Sequence, residues 1–367
     1  MPLLRLILSD LHLGAGSGHG VPNVLEDFAH DERFSELLAH YQEASGDDDE
    51  IELILNGDIF DLLKIKIDGV WPLEITNEIA TEKLRQCLEG HPVFVHSLRE
   101  FLKGPNRRIV FIPGNHDLDM VMSGPQQLLR RYLGLSDAPE RLRFITRSDT
   151  YYLPEGIQIR HGHQLERIHR VDYENLTHTR KDGAEVLSLP WGSLWILEVM
   201  NPAKEERSYI DRILPLGRFL SAALLFDTRF VVRFLWNSTV YFLKHRIFRI
   251  RAWRDRIRGF RRILREDIIA LGGFDEAAAR ALKQVRGVHT LVVGHSHGPR
   301  FRMYADNKLL VNTGTWMKMI NLDLRYLGQD SGLTYATISY DEQGSPITHL
   351  RRWYGTQQPS ELVPHAD

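Results

Sequence analysis

The sequence predicts an α/β fold in which a layered sheet is flanked by helices and a helical subdomain is inserted late in the chain. Three short apolar runs have the length and continuity of strands that are buried on both faces: LLRLILSD at 3–10, IELILNGD at 51–58 and RRIVFIPGNHD at 107–117. Helical spacing over 34–44 and 80–104 separates these runs. Alternation of strand and helix patterns is typical of layered α/β domains.

The second half of the chain contributes more strands. Residues 150–163 contain two extended runs around a Pro-Glu-Gly turn, which predicts a hairpin. The runs at 288–301 and 308–316 have the composition of buried strands with polar ends, and 333–353 predicts a terminal hairpin.

Residues 166–285 break this pattern, because they are aromatic, Arg-rich and mostly helical in period. They lie between two strand-bearing segments. We therefore interpret them as a helical lid inserted into one domain that is formed by 1–165 and 286–352. Residues 353–367 carry no pattern, and we expect a mobile tail there.

The composition is that of a soluble globular protein, with 43% hydrophobic and 26% charged residues. A net charge of −2 provides no overall attraction to nucleic acid. The single cysteine, Cys87, excludes an intramolecular disulfide and a thiolate metal cluster. The N-terminal apolar run is too short for a signal peptide and is interrupted by Asp10, so we expect a cytoplasmic protein.

Five polar clusters follow the apolar runs, and each could be a simple turn or a structural histidine pair if it stood alone. They are Asp10-x-His12, Gly57-Asp58-x-x-Asp61, Gly114-Asn115-His116-Asp117, His161-x-His163 and Gly294-His295-x-His297. Mixed carboxylate, amide and imidazole ligands suit Mn, Fe or Zn. Alternate residues of an extended strand share a face, so both members of an x-spaced pair can approach one metal cluster if the backbone stays extended. Together the five clusters predict a metal centre.

In their order and spacing, these blocks resemble the calcineurin-like metallophosphoesterases over about 1–165 and 286–350. The resemblance implies a layered β-sandwich flanked by helices, with two divalent metal ions. It assigns one ion to Asp10, His12 and His297. It assigns the second ion to Asn115, His161 and His295, with Asp58 bridging the two. Manganese is the expected metal, with Fe or Zn as alternatives, and His163 is expected to lie outside the ligand set.

The resemblance also implies an activity, which is hydrolysis of a phosphoester or pyrophosphate bond by a hydroxide that bridges the two ions. His116 would protonate the leaving group, and Asp61 would be the anionic neighbour of His116. Asp117 is expected to hold its loop by hydrogen bonds. The alternative is a non-catalytic scaffold with the same fold, but such scaffolds tend to lose the acid or a ligand, and all are present here.

The predicted lid contains a strongly basic stretch. From Arg229 to Arg265 there are 11 Arg and one Lys against one acid, Asp255, and the apolar residues of 246–273 recur at helical steps. One interpretation is a helix packed on its own domain with a solvated basic face. The other is a surface for anionic lipid, giving peripheral membrane contact, or for a lipid-linked substrate or a nucleic-acid backbone, of which nucleic acid is the less favoured.

Residues 214–243 are very apolar, but charged residues interrupt them before the roughly 18 residues that a membrane span needs. They predict either buried lid helices or an interfacial surface with Trp236 and Tyr241 near its rim. A helical lid before Gly-His-x-His resembles the UDP-2,3-diacylglucosamine hydrolases, which cut a lipid-linked pyrophosphate. That group often carries Arg where this chain has His116, and this lid is longer, and both differences weaken the transfer of that substrate to this chain. The Arg-rich stretch keeps a nuclease or phosphodiesterase acting on nucleic acid open as an alternative.

The histidines outside these blocks lack a motif, and we interpret them as structural or exposed. They are His19, His169, His178 and His245.

Overall fold

The computed structural model describes residues 3–17, 23–46, 48–214, 216–247, 273–322, 328–358 and 360–363. The strands in chain order are β1 (Leu3–Leu8), β2 (Glu50–Asn56), β3 (Arg107–Ile112), β4 (Leu142–Phe144), β5 (Thr150–Leu153), β6 (Ile157–Arg160), β7 (Thr177–Thr179), β8 (Glu185–Leu187), β9 (Ile213–Leu214), β10 (Thr290–Val293), β11 (Arg300–Tyr304), β12 (Lys308–Asn312), β13 (Lys318–Asn321), β14 (Gly328–Ser331), β15 (Thr334–Tyr340), β16 (Pro346–Trp353) and β17 (Ser360–Leu362). The helices are α1 (Asp31–Glu43), α2 (Asn77–Gly90), α3 (Pro92–Phe101), α4 (Ser123–Tyr132), α5 (Trp191–Trp195), α6 (Asn201–Glu206), α7 (Leu216–Phe226), α8 (Thr228–Phe242) and α9 (Phe274–Gln284).

Two sheets stack face to face to form the body of the protein. The first has the order β17-β16-β15-β1-β2-β3-β4 and the second the order β11-β12-β10-β6-β5. Side chains from both sheets, such as Ile54, Val110, Ile159 and Val292, form one buried cluster between them. The outer face of the first sheet packs on α1, α2 and α3, and α9 covers the second sheet. The predicted α/β fold is confirmed.

The parallel strands of each sheet end at a common edge. In the first sheet, Leu8 pairs with Leu55 and Asn56 pairs with Ile112. In the second sheet, β10 runs parallel to both β6 and β12. Because the carboxyl ends of parallel strands meet at one edge, the polar loops that follow them are brought together there.

The structure differs from the sequence predictions at two helices and at the tail. The helical pattern over 80–104 belongs to two helices that meet at His91, where Pro92 takes the first position of α3. The segment predicted to be a mobile tail contributes β17, which pairs with β16. An edge strand offers unpaired backbone groups to any neighbouring segment, and this tail uses them.

The predicted insertion contains the hairpin β7–β8 and the helices α5 to α8. These helices have their own apolar cluster, which includes Ile196, Val199, Phe230 and Phe234. Tyr241 is buried and donates a hydrogen bond to the Trp191 carbonyl, so it does not lie at a rim, whereas Trp236 is 67% exposed. The Arg-rich amphipathic helix predicted within 246–273 falls almost wholly on 248–272, outside the described residues.

His91, at the junction of α2 and α3, makes charged contacts that join this junction to α1 and to the loop after β1. Its Nδ1 is 3.1 Å from the Asp31 carboxylate at the start of α1, and its Nε2 is 3.4 Å from Glu26 Oε2. Glu26 in turn accepts hydrogen bonds from the backbone N–H groups of Gly14 and Gly16. Burial alone would lower the pKa of His91, but the two carboxylates outweigh burial and raise it to about 9.

We expect this contact to make stability depend on pH between about 6.5 and 9. Because the folded pKa lies above the ordinary 6.5, the stabilisation is complete below pH 6.5 and is lost as the pH rises through about 9. The free energy of unfolding in EDTA should fall by about 2–3 kcal/mol over that range through this group. His91→Gln should remove this part of the decline in urea titrations. Substitution of the exposed His96 of α3 by Gln is the control. A free energy of unfolding that declines with pH as much in His91→Gln as in the wild type would contradict the account.

Candidate metal centre

The loops after the strands place most of the predicted ligands in an uncommon backbone conformation. Asp10, His12, Asp58, His295 and His297 have φ values of 54°, 58°, 53°, 70° and 59°. The condition of an extended backbone, under which alternate residues would share a face, is therefore not met at Asp10 and His12 or at His295 and His297. Non-glycine residues rarely adopt positive φ, and such strain persists where the surrounding structure enforces it, often at functional sites.

The first group of side chains that could hold a cation is Asp10, His12 and His297. The Nε2 atoms of His12 and His297 are 3.1 Å apart, and Asp10 Oδ1 lies 3.3 Å from the His297 Nε2. Ligands around a tetrahedral metal with bonds of 2.0–2.1 Å are separated by about 3.3 Å. The spacing of these three side chains therefore suits a small divalent ion.

The second group is Asp58, His161 and His295. His161 Nε2 is 3.1 Å from Asp58 Oδ2, which is also 3.9 Å from His12 Nε2 in the first group. One carboxylate thus reaches both groups. His161 Nδ1 is 2.9 Å from the Asn56 carbonyl, and a hydrogen bond donated there leaves Nε2 as the nitrogen for a ligand.

Asn115 and His163 are both buried, and of the two Asn115 lines the pocket beside the two groups. The Asn115 Oδ1 is a buried acceptor without a hydrogen-bond partner among the described residues, as expected of an atom that awaits a ligand. His163 is fully buried, neither of its ring nitrogens has a described partner, and it is in none of the cation-binding groups.

Two glycines allow the loops to approach the carboxylates. A Cβ atom on Gly114 would overlap Asp58 Oδ1 and the Asp58 backbone nitrogen. A Cβ atom on Gly294 would overlap Asp10 Oδ2. These close contacts explain the glycine that precedes the polar residues in the third and fifth blocks.

His116 and Asp61 form a pair beside the two groups. His116 Nδ1 lies 2.8 Å from Asp61 Oδ1, and His116 lines the adjoining pocket. Burial would lower the pKa of His116, but the charges of Asp61 and Asp58 raise it to about 9. Asp117 holds the loop by hydrogen bonds, as predicted, because it accepts from the N–H groups of Gly114 and Ile59.

The electrostatics of the site favour bound cations. Burial raises the pKa of Asp58, but the nearby His161 and His116 outweigh it and lower this pKa well below the usual value. Burial lowers the pKa of His161, and Asp58 and Asp10 raise it to about 10. A buried imidazole holds a proton this strongly only in a negative potential, and a metal ion would take the place of that proton. The residues present therefore fit the divalent ions that the sequence predicts.

Sequence analysis missed three side chains at this site. His169, interpreted as structural, lies against His295 with ring centroids 5.1 Å apart. Glu166 Oε2 is 3.1 Å from His295 Nε2, and Glu166, His169 and His295 form a further group that could hold a cation. Lys64 contacts Asp61 at 2.8 Å. None of the three residues belongs to one of the five blocks, although Glu166 and His169 follow His163 closely along the chain and Lys64 is three residues after Asp61.

A pocket of about 480 Å³ opens over both groups. Its polar lining includes His12, Asp58, Asn115, His116, His295 and His297. Its apolar lining includes Ile168, Trp191, Trp195, Met200, Ile210 and Leu216. All six of these apolar residues lie within 166–285, and all but Ile168 come from α5 to α7 and the segments between them, so the predicted insertion supplies most of the apolar wall.

We expect Asp58→Asn to disturb both ion positions, because this carboxylate reaches both groups. Wild-type protein dialysed against Mn²⁺ should retain about two ions per chain, and Asp58→Asn fewer than about one. Asn115→Ala should lose only the second ion. The control is Asp149→Asn, which removes a buried carboxylate that pairs with Arg160 and belongs to neither cation-binding group. Elemental analysis gives the counts, and two retained ions in Asp58→Asn would contradict this role.

Comparison with known proteins gives one clear match. A family model described as calcineurin-like phosphoesterase matches residues 4–198, more than half of the chain. No curated protein sequence matches the chain significantly.

Solved structures give weaker likenesses. A predicted phosphoesterase from Streptococcus pneumoniae is 11% identical, with a TM-score of 0.29, and the alignment covers 99% of this chain and 98% of that one. A putative 5'-nucleotidase from Staphylococcus aureus is 10% identical, with a TM-score of 0.30 and coverage of 100% and 55%. A 5'-nucleotidase precursor from Thermus thermophilus is 11% identical, with a TM-score of 0.33 and coverage of 99% and 55%.

This chain thus spans about half the length of the two nucleotidases, and the low scores carry no inference about activity. The match to the family model does not depend on these structures, because it covers the first four of the five blocks, as far as His161-x-His163. The chain belongs to the calcineurin-like phosphoesterase family, whose members are metal-dependent phosphohydrolases.

Proposed function

We propose that this protein hydrolyses a phosphoester or pyrophosphate bond with the help of two divalent ions, with manganese as the expected metal. The observation that carries the proposal is the position of Asp58, which reaches both cation-binding groups beside the His116–Asp61 pair. A non-catalytic scaffold with the same fold would not need the buried Asp61 carboxylate to orient His116 toward the pocket.

The ligands of the proposed ions follow from the two groups. Asp10, His12, Asp58 and His297 would hold one ion, and Asp58, Asn115, His161 and His295 would hold the other. When bound, two such ions would polarise a phosphoryl group and lower the pKa of water to near neutrality.

His116 has the position of a general acid. Its Nδ1 is committed to Asp61, so Nε2 is the nitrogen left for a leaving-group oxygen in the pocket. Its raised pKa keeps the imidazole protonated at neutral pH in the metal-free chain. Proton donation to a leaving group by such a residue typically contributes about 10²–10⁴-fold to the rate.

The apolar lining of the pocket supports a substrate that carries an apolar group next to its phosphate, such as a lipid-linked pyrophosphate. The indole and aliphatic side chains of Trp195, Met200 and Ile210 would cover an acyl chain while the phosphate lies at the ligands. A nuclease would need a basic, solvated groove, and among the described residues the lining of this pocket is mostly apolar instead.

Peripheral membrane contact is the accompanying part of this proposal. The outer side of α7 and α8 exposes Leu225, Phe226 and Trp236 by 79%, 89% and 67%, next to the exposed Arg229. Apolar side chains with neighbouring arginines suit an anionic lipid surface. Among the described residues, no helix is long and apolar enough to cross a membrane.

The test is Mn²⁺-dependent hydrolysis of a UDP-linked diacyl sugar in detergent, with bis-p-nitrophenyl phosphate as the soluble diester. We expect the lipid to be the better substrate. Trp195→Ala should raise KM for the lipid by about 10–100-fold, because a buried indole contributes about 1.5–3 kcal/mol, and should leave the diester unaffected. Trp236→Ala is the matched control in detergent.

The other outcomes separate the parts of the proposal. Hydrolysis of the diester with the lipid untouched would overturn the apolar-substrate class and keep the phosphohydrolase. Hydrolysis of neither compound with Mn²⁺ bound would favour the scaffold. Flotation with anionic vesicles that is equal in Trp236→Ala and wild type would contradict membrane contact through α8.

A further inference from the structure

A cluster of six charged side chains, which includes Asp61, joins the body of the protein to the insertion; four of them are buried, and Asp211 and Arg212 are partly exposed. Its members are Asp27, Asp61, Lys64, Lys204, Asp211 and Arg212. Three carboxylates face three cations, so the cluster as a whole is neutral. Buried charges are tolerated when they are paired in this way, and the loss of one partner leaves another uncompensated.

Lys64 is the centre of this cluster. Its Nζ lies 2.8 Å from Asp61 Oδ2 and 2.9 Å from Asp211 Oδ2, and it also contacts Asp27 Oδ2. An ammonium group has three N–H donors, and three carboxylates face them. Lys64 also lines the pocket, but these three carboxylates already compensate its charge, and it donates a hydrogen bond to Asp27.

The contact with Lys64 determines how Asp61 presents its two oxygens. Oδ2 faces Lys64 and lies 3.3 Å from His12 Nδ1, while Oδ1 faces His116 Nδ1 at 2.8 Å. Rotation of the carboxylate would break the contacts of both oxygens at once. Lys64 therefore holds Asp61 in the orientation that keeps His116 Nδ1 occupied.

The insertion provides the other half of the cluster. Lys204 of α6 is fully buried, and its Nζ lies 2.6–2.8 Å from both oxygens of Asp27 and of Asp211. These are two of the three carboxylates that hold Lys64. A second ion pair, between Lys66 and Glu205 at 2.5 Å, joins the same two parts of the chain, but it is on the surface and does not contact Asp61.

We infer that Lys64 is a positioning residue for the Asp61–His116 pair, and that Lys204 and Asp211 of the insertion hold Lys64 in that role. The inference rests on the proposed hydrolysis, in which His116 protonates the leaving group. Lys64 makes and breaks no bond in this scheme. The insertion would thus complete the acid catalyst as well as cover the pocket.

Leaving-group dependence tests this role, because a general acid matters most when the leaving group is a poor one. The substrates are bis-p-nitrophenyl phosphate, with a good leaving group, and diphenyl phosphate, with a poorer one. Lys64→Met should lower kcat on diphenyl phosphate by about 10–100-fold and on the nitrophenyl ester by less than about 3-fold, within the range expected for loss of acid catalysis. His116→Gln should show the same selectivity, more strongly.

Variants on the insertion side keep the test informative if Lys64→Met fails to fold. Lys204→Met should shift the leaving-group dependence in the same direction as Lys64→Met. Lys66→Met removes the surface ion pair between the same two parts of the chain and should change neither rate. Equal losses on both esters in Lys64→Met and Lys204→Met would mean a purely structural role and would overturn the inference.

Crystal structures supply a readout that does not depend on turnover. In Lys64→Met or Lys204→Met, we expect the Asp61 carboxylate to turn and its Oδ1 to leave the 2.8 Å contact with His116. An unchanged Asp61–His116 contact in both variants would overturn the inference. If the wild type cleaves neither ester, the proposed function fails for these substrates, and the two crystal structures still decide the role of Lys64.

Discussion

The concentration of buried negative charge at one edge of the two sheets is the constraint on which the rest of this structure depends. Asp10 and Asp58 are almost fully buried, and an oxygen of each lies 3.9 Å from His12 Nε2. Charges buried in this way are costly unless cations or hydrogen bonds compensate them. The left-handed loops, the close approach of Gly114 and Gly294, and the inward-facing histidines all bring compensating groups to these two carboxylates.

A second layer of charge extends this principle away from the ligands. Asp61 is fully buried and serves His116 on one side and Lys64 on the other. Lys64 is in turn compensated by Asp27 and Asp211. Because each charge in this series depends on the next, the geometry of the pocket and the packing of the insertion are connected. The apolar wall and the His116–Asp61 pair are then parts of one arrangement around the pocket.

The fold and a common edge for the predicted ligands could be predicted from the sequence, because strand periodicity and short blocks such as Gly-Asn-His-Asp are local signals. Sequence reasoning missed Glu166, whose contact with His295 spans 129 positions, and Lys204, whose contact with Asp27 spans 177. Such pairs depend on how helices and sheets pack, which no local pattern records. The positive φ values were missed for the same reason, since the surrounding contacts impose them on residues that ordinarily avoid them.

Anomalous diffraction from crystals soaked in Mn²⁺ tests the central claim most directly. The account predicts two peaks on opposite sides of Asp58, one contacted by Asp10, His12 and His297 and the other by Asn115, His161 and His295. A single peak, or a peak at Glu166 and His169 in place of the second, would contradict the two-ion site and the role of Asp58 as its shared ligand.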